Sequence, residues 1–484
     1  MADDPKRPLL IASNRGPVSF GFAEDGSLTS RRGGGGMVSG LMSGLAGVAA
    51  GGEVRWLCAA LSDADRAAAR RGERAAGGPG DVLVRMLDIP RDMFGAAYNG
   101  IANSILWFVH HLLFDTPNQP RFGAEFRRDW DCYVAYNEAF ADALAQEYTP
   151  AARVLIQDYH LALAPRLLRD RRPGARIAHF EHTPWAPPDY YRMLPDDIAT
   201  AILDGMLGAD HAGFLAGRWA CAFLDCCEAV LGARVSRGGG GTGQVSYRGH
   251  TTQVGVHPLG VDDQALRARA AHDDVQWHVG ALAEIANGRR PIVRVDRTEL
   301  SKNIVRGMAA YRELLISQPQ WRGRVVHLAF AYPSRSDVAQ YRDYTARVHE
   351  AALEINSEFG TADWEPLVLD VKDDYPRSLA ACRVADVLLV NPIRDGMNLV
   401  AEEGPILSEN GCALVLSREA GAAALIGDEA LLVNPYDVTA TAQALHAALS
   451  MPDAERLRRT AVMAAKASAR APQHWLAEQL NALG

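Results

Sequence analysis

No run of eighteen apolar residues occurs in this sequence, so no membrane-crossing helix is expected. The opening Met1-Ala2-Asp3-Asp4-Pro5-Lys6-Arg7 lacks the apolar stretch of a signal peptide, and the expected location is cytoplasmic. Cysteine is scarce, with seven residues at positions 58, 132, 221, 226, 227, 382 and 412, none in a C-x-x-C pair or a Cys/His ligand pattern. That argues against a disulfide framework or a zinc site and leaves reduced, mostly buried thiols. Excess positive charge is missing too. A net charge of −8 with a pI near 6.0 argues against a dedicated nucleic-acid or membrane binder, so basic residues that matter must be local and pocketed. Neither G-x-G-x-x-G nor a Walker A loop is found, which weakens NAD and P-loop readings. No internal repeat or low-complexity domain is seen. What remains is a composition of 48% hydrophobic and 22% charged residues, normal for a globular enzyme. At 484 residues it exceeds one ordinary core, and two domains are expected.

The chain is organised around Asp395-Gly396-Met397-Asn398-Leu399-Val400-Ala401-Glu402-Glu403. Before it, Ala385-Asp386-Val387-Leu388-Leu389-Val390 reads as a buried parallel strand. A turn follows, and Asn398 can cap the next helix. A strand, a glycine turn and a helix start gather backbone N–H groups at one point, which suits a diphosphate. Asp395 and Glu403 add acceptors for sugar hydroxyls. Taken alone, the stretch is equally an ordinary strand–turn–helix.

Other strands end in polar residues that suit the same chemistry, since ligands of open parallel sheets bind beyond the carboxyl ends of strands. Leu9-Leu10-Ile11-Ala12 runs into Ser13-Asn14-Arg15, and Arg153 to Gln157 into Asp158-Tyr159-His160. Ala175 to Glu181 runs into His182-Thr183-Pro184. His160, His179, His182 and Glu181 invite a metal, but 179 and 181 alternate faces with 180 and 182, so one ion could not gather them. Tyr98 and Trp107 could wall a sugar site, although core packing explains most such residues. Arg31 to Leu41, with glycines from 33 to 36, reads as a helix opening that lets backbone approach a phosphate. The second glycine run, Ser236 to Gly243, reads as a flexible hairpin tip without chemistry. Ala67 to Asp81 reads as a helix with a loose loop. Near His257-Pro258 a hinge precedes a second α/β series, in which Pro291 to Arg297 is a strand and Ser301-Lys302-Asn303 opens a helix. Arg297 and Lys302 then share one strand-to-helix junction, a good pair for two phosphates.

These motifs, with Gly35-Gly36, Tyr98-Asn99, Leu106-Trp107, Ser334-Arg335, Ala420-Gly421-Ala422-Ala423 and Val433-Asn434-Pro435-Tyr436-Asp437, resemble the trehalose-6-phosphate synthase family of retaining glycosyltransferases, family 20, over nearly the whole chain. The resemblance implies an α/β fold of GT-B type, two Rossmann-like doubly wound parallel-sheet domains facing a central cleft. It implies an acceptor domain over 1–257, a nucleotide-sugar domain over 258–472, and a last helix of about 473–484 packing back on the first. Arg297 and Lys302 would bind the donor diphosphate, with Gly35, Gly36 and the backbone of Asp395, Gly396, Met397, Asn398, Leu399 and Val400. Glu403 would hold the ribose, and Asp395 and His182 the donor glucose. Arg15, Tyr98, Trp107 and Arg335 would form the glucose 6-phosphate pocket, with Asp158 at the acceptor hydroxyls. Asp158, His182, Arg297 and Lys302 are the implied catalytic set, without metal or cofactor. The implied reaction is front-face transfer of glucose from a nucleoside-diphosphate glucose to glucose 6-phosphate, giving α,α-trehalose 6-phosphate. Gly404-Pro405 and the Lys372–Arg377 region depart from the common pattern and resemble relatives taking guanine nucleotides, so GDP-glucose is weakly favoured over UDP-glucose. The rivals are a glucosylglycerol-phosphate synthase or a pseudoglycosyltransferase of the same fold, and a non-catalytic sugar-phosphate sensor. The sequence leaves open whether copies of the chain assemble.

Overall fold

Runs such as Val387-Leu388-Leu389-Val390 and Leu9-Leu10-Ile11-Ala12-Ser13 are buried at every position, because helices or further chain cover both faces of the sheets they build. The computed structural model describes residues 7–32, 36–48, 53–72, 75–76, 82–335 and 337–484. The chain divides into two units, one of Met1–Leu259 with Pro472–Gly484, the other of Gly260–Ala471.

In the first unit the described strands are β1 (Leu9–Ser13), β2 (Val18–Phe22), β3 (Leu28–Arg32), β4 (Val54–Ala59), β5 (Ala75–Ala76), β6 (Leu83–Leu87), β7 (Arg153–Gln157), β8 (Arg176–Glu181), β9 (His211–Phe214), β10 (Arg234–Arg237), β11 (Gly243–Tyr247) and β12 (His250–Val256). Ten of them form one sheet in the order β10-β11-β12-β9-β8-β7-β1-β4-β6-β5. Its middle, from β12 to β6, is parallel throughout. Counted in chain order, those seven parallel strands run 3-2-1-4-5-6-7, so the winding reverses between β1 and β7. A crevice opens at such a reversal beyond the strand ends. Ser13-Asn14-Arg15 and Asp158 lie there.

The second unit holds β13 (Arg290–Arg297), β14 (Val325–Tyr332), β15 (Leu367–Val371), β16 (Val387–Val390), β17 (Ala413–Ser417) and β18 (Leu431–Val433), all parallel, in the order β15-β14-β13-β16-β17-β18. That is 3-2-1-4-5-6, the dinucleotide-fold order, with its reversal between β13 and β16. Arg297 ends β13 and Asp395 follows β16.

Three local expectations need correction. Arg31 and Arg32 do not lead into a helix but end β3, which pairs antiparallel with β2 as a separate hairpin. Of the glycines beyond, Gly35 lies outside the described residues, and Gly36 opens the helix Gly36–Val48. The helix expected over 67–81 is instead Asp63–Arg70, opened by a capping box in which Ser62 and Asp65 each accept the other's backbone N–H, at 3.0 and 2.9 Å. Residues 73–74 and 77–81 lie outside the described residues. The second glycine run does connect two antiparallel strands, β10 and β11, but it is not a bare tip. A Cβ on Gly241 would strike the backbone of Gly217, the first residue of the helix Gly217–Leu231, so position 241 is glycine because it packs on that helix.

Beneath the second unit's reversal lies an arginine that is 1% exposed. Arg294 on β13 donates to Asp296 (2.8 Å), to Asn391 Oδ1 (2.6 Å) and to the carbonyl of Lys302 (2.7 Å). It thereby ties β13, the turn after β16 and the Lys302 turn into one block. Gly307, on the helix Ile304–Ser317, leaves room for that guanidinium, which any Cβ there would strike. Replacing Arg294 by Met leaves Asp296 buried without its cation, and removing one partner of a buried pair costs about 3–5 kcal/mol. Chemical denaturation should show a loss of that order in Arg294→Met. A change below about 1 kcal/mol would contradict this bracket.

Candidate functional site

In the first unit, the turn after β1 is held from below. Ser13 Oγ accepts from the Trp56 indole at 2.8 Å and donates to the Arg15 carbonyl at 2.6 Å, while Asn14 Oδ1 accepts from Tyr136 OH at 2.6 Å. The buried Ser and Asn fix the backbone and leave the Arg15 side chain exposed at the reversal point. Asp158, after β7, has φ 76° and ψ 161°, a conformation that L-residues rarely adopt. Its N–H donates to Phe180 O on the adjacent parallel strand β8 at 2.7 Å.

The residues after Asp158 gather the two aromatics. His160 stacks on Tyr98, ring centroids 5.4 Å apart, and Tyr159 lies 5.9 Å from Trp107. Both aromatics come from one irregular element, a π-helix over Ala96–Leu106 that continues as Trp107–His111. Wide helical turns of this kind re-aim side chains and are common at functional sites. At the end of β8, the His182 imidazole donates from Nε2 to Gln157 Oε1 at 2.9 Å and packs against Trp475, 5.8 Å away, from the helix Pro472–Asn481. Burial holds the His182 pKa down to about 4, so the ring is neutral at pH 7 and its Nδ1 can accept a hydroxyl. For Asp158, burial works against the charge, but the hydrogen bond and charge of His160, with His182 beyond, outweigh it and bring the carboxyl to about 2.

The second unit carries the cations. Arg297 leaves the end of β13, Lys302 lies in the short 3₁₀ turn Leu300–Lys302, and Arg335 follows β14 with φ 47°. The two arginines are organised by Glu299, which is 0% exposed. Its Oε1 accepts from Ser334 Oγ at 2.7 Å and stands 3.3 Å from Arg297 Nη1 and 3.9 Å from Arg335 Nη1. Burial alone would raise this carboxyl; Arg297, Arg335 and Lys302 instead hold it at about 2. Glu299 in turn raises the Arg297 pKa. Lys302 Nζ pairs with Asp395, whose Oδ2 also accepts from Asn398 Nδ2 at 3.0 Å. Burial disfavours the Lys302 charge, but Asp395 and Asp296 more than restore it.

Asn398, at φ 84°, also caps the helix Val400–Leu407 by accepting from the Ala401 N–H at 3.2 Å. The backbone of the turn is fixed by Gly421 and Ala422, whose N–H groups donate to Asp395 O (3.1 Å) and Met397 O (2.9 Å). Only glycine fits at 421, since a Cβ there would strike the Gly396 carbonyl. Leu399 stands at the N-cap and Val400 at the first helical position, so their N–H groups belong to the unbonded first turn. Pro405 falls inside this helix, which ends two residues later. Glu403 lies on the first turn, and burial raises its pKa to about 7.

Arg297, Lys302, Asp395 and Arg335 are therefore brought together in one unit, and Asp158, His182, Tyr98 and Trp107 in the other. Arg335 stands in the second unit, apart in sequence and in unit from Arg15, its expected partner in the acceptor pocket. The residue the sequence reading missed is Glu299. Its signal was available: an acid between two cations at a strand end, spaced Arg297-x-Glu299-x-x-Lys302. Chemically, two arginines held by one buried carboxylate, with Lys302 held by Asp395, form a cradle for phosphoryl oxygens, and Asp395 and His182 offer hydroxyl acceptors. Among the described residues no group of three or more His, Cys, Asp or Glu side chains is arranged to hold a metal ion, and no helix is long and apolar enough to cross a membrane.

Two doubly wound sheets, each with polar groups at its reversal point, give a fold of GT-B type, the architecture of a class of glycosyltransferases. The model of glycosyltransferase family 20 matches residues 8–484, and the chain belongs to that family. It is 33% identical over 483 residues to the trehalose-6-phosphate synthase of Mycobacterium avium, covering 98% of this chain and 95% of that one. It is 32% identical over 406 residues to the validamine 7-phosphate valienyltransferase of Streptomyces hygroscopicus, covering 83% and 79%. A probable UDP-forming synthase of Arabidopsis thaliana is longer: 32% identity over 458 residues covers 93% of this chain but 54% of that protein. Among solved structures, the UDP-forming synthase of Burkholderia xenovorans in complex with glucose-6-phosphate superposes with a TM-score of 0.85 at 26% identity, covering 99% of this chain and 100% of the other.

Glu403 yields a test of the site's electrostatics. Folded, it keeps its proton up to about pH 7; unfolded, it releases it near 4.5. Its stabilising contribution is therefore full below about 4.5 and lost as pH rises through about 7. Relative to Glu403→Gln, the native protein should lose on the order of 1–3 kcal/mol of stability between about pH 5 and 8, read from urea midpoints. Parallel pH profiles would contradict the buried carboxyl.

Proposed function

We propose that this protein transfers glucose, with retention, from a nucleoside-diphosphate glucose to glucose 6-phosphate, forming α,α-trehalose 6-phosphate. The observation that carries the reading is the Arg297–Glu299–Arg335 cluster with the Lys302–Asp395 pair at the reversal between β13 and β16. Arg297 and Lys302 hold the two phosphates of the donor and stabilise the charge that develops as the glycosidic bond breaks. On binding, a phosphate oxygen replaces Asp395 as the partner of Lys302, and Asp395 turns to the donor glucose hydroxyls. Leu399 and Val400 N–H groups and Gly36 supply further donors. Glu403 takes the ribose diol. In the acceptor set, Arg15 and Arg335 hold the 6-phosphate, Tyr98 and Trp107 wall the sugar, and Asp158 orients its hydroxyls.

Retention follows a front-face course. The acceptor hydroxyl attacks on the side from which the diphosphate leaves, and the departing phosphate oxygen takes the hydroxyl proton. His182 is neutral and hydrogen-bonded, which suits it to orient the donor sugar rather than to attack it. Two cations supply the charge that a divalent metal supplies elsewhere. For the base we retain guanine. The reading rests on the departure of Gly404-Pro405 and Lys372–Arg377 from the common pattern, the helix Tyr375–Val384, capped by Asp374, starting within the second of them. The Burkholderia relative is described as UDP-forming, so the two donors must be compared directly.

The assay is nucleotide release with glucose 6-phosphate and, separately, GDP-, UDP- and ADP-glucose. Release should be fastest with GDP-glucose. Arg297→Ala and Lys302→Ala should each lower kcat by roughly 10²–10³-fold while the protein stays folded. Faster turnover with UDP-glucose would reverse the base assignment alone. No release with any glucose donor would favour a cyclitol-phosphate transfer of the kind the valienyltransferase relative is named for.

A further inference from the structure

Glu181 is the last residue of β8, is 0% exposed, and has no role in the scheme above. Its Oε1 accepts two hydrogen bonds from Thr183, from the backbone N–H at 3.0 Å and from Oγ1 at 2.6 Å. Its Oε2 is shut off from solvent and receives no N–H or O–H donor from another residue. The same is true of one oxygen of the neighbouring Asp158, Oδ1. Two carboxyl oxygens on adjacent strand ends are thus both buried, and each lacks a donor.

The surrounding groups do not supply one. His179 Nε2, beneath Glu181 on β8, stands 3.9 Å from Oε2, beyond hydrogen-bond reach, and burial holds that ring neutral, its pKa down to about 3. His160 Nδ1 lies 3.4 Å from the other Asp158 oxygen, Oδ2. Tyr133, from the helix Ala124–Glu147, gives its hydroxyl proton to the Tyr159 carbonyl at 2.5 Å. His182 gives its Nε2–H to Gln157. Among the described residues, neither carboxyl pairs with Lys or Arg.

Two adjacent buried carboxylates with no Lys or Arg partner, His160 alone standing 3.4 Å from the far oxygen of Asp158, cannot both be ionised, because desolvation and mutual repulsion act together. One proton removes both problems and fills both empty acceptor positions. We propose that Glu181 is carried as a neutral carboxylic acid, its proton lying between Glu181 Oε2 and Asp158 Oδ1. The bond fixes the Asp158 carboxylate by its inner oxygen and leaves Oδ2 for the substrate. Asp158 needs such a clamp, because its backbone is held in a conformation disfavoured for any residue but glycine. The directions of titration agree. Burial and then the Asp158 charge push Glu181 well above the usual carboxylate range, against the two Thr183 hydrogen bonds, while Asp158 stays ionised. Glu181 is thus a positioning residue. Only the meaning of the Asp158 orientation rests on the proposed glucosyl transfer; the shared proton does not.

The decisive experiment is infrared difference spectroscopy on the purified full chain near neutral pH, native protein minus Glu181→Gln. The expected result is a protonated-carboxyl C=O band present in the native protein and lost in the variant. Asp158→Asn should shift that band, because it changes the acceptor of the proton. Absence of the band, or a band that Asp158→Asn leaves in place, overturns the proposal whatever reaction the protein catalyses. Where turnover is measurable, Glu181→Leu should lower kcat about 10-fold with donor KM little changed. Glu181→Gln, whose amide can still donate to Asp158, should recover most of that loss. Equal losses in Gln and Leu would count against the donated hydrogen bond.

Discussion

Three cations crowded at one strand end would drive one another apart unless something inside the fold answered them. Glu299 does so. It is fully buried, and it is ionised only because Arg297, Arg335 and Lys302 surround it. The dependence runs both ways: Arg297 and Arg335 are directed by one carboxylate, itself fixed by the Ser334 hydroxyl, while Lys302 is directed by Asp395. A buried carboxylate that lost its cations would face the full desolvation cost, so the cluster stands or falls as a unit. On the proposed donor role, the cradle is preorganised before any substrate arrives, which is where catalytic electrostatics draw their strength.

The two units solve the same topological problem in the same way. Each winds its parallel strands outward in both directions from a first strand, and each places its chemistry at the reversal: Arg15 and Asp158 between β1 and β7, Arg297 and Asp395 between β13 and β16. What differs is the charge. Around its reversal the first unit offers the exposed Arg15, two aromatics and neutral or hydrogen-bonded polar groups; the second offers a dense cationic cluster.

Much of this was legible in the sequence, for physical reasons. A strand buried on both faces must be an unbroken apolar run, so Val387-Leu388-Leu389-Val390 and Leu9 to Ala12 announced themselves, and the polar residues after them marked the carboxyl ends. The β2–β3 hairpin was missed because β3 is made of Leu, Thr, Ser and two Arg, and β2 alternates Val, Phe and Phe with Ser and Gly, so neither shows the unbroken apolar run that betrays a core strand. The helix Asp63–Arg70 was displaced because alanine and arginine downstream outweighed the capping signal at Ser62. Glu299 showed only as an acid spaced between two cations, and the role of Glu181 not at all, for a deeper reason. A sequence records that an acid is present but not that it is buried, and burial turns an ordinary acid into an anchor or a proton donor. The π-helix carrying Tyr98 and leading into Trp107 has no simple periodic signature either.

The central claim is that this cradle delivers glucose to its acceptor from the face the diphosphate leaves. The most direct test is the anomeric configuration of the product formed from an α-configured nucleoside-diphosphate glucose and glucose 6-phosphate, read from the ¹H couplings of both anomeric protons. The account predicts a 1,1-linked disaccharide phosphate with α configuration at both centres. A β configuration at the transferred carbon would contradict it, because that outcome requires attack from the opposite face.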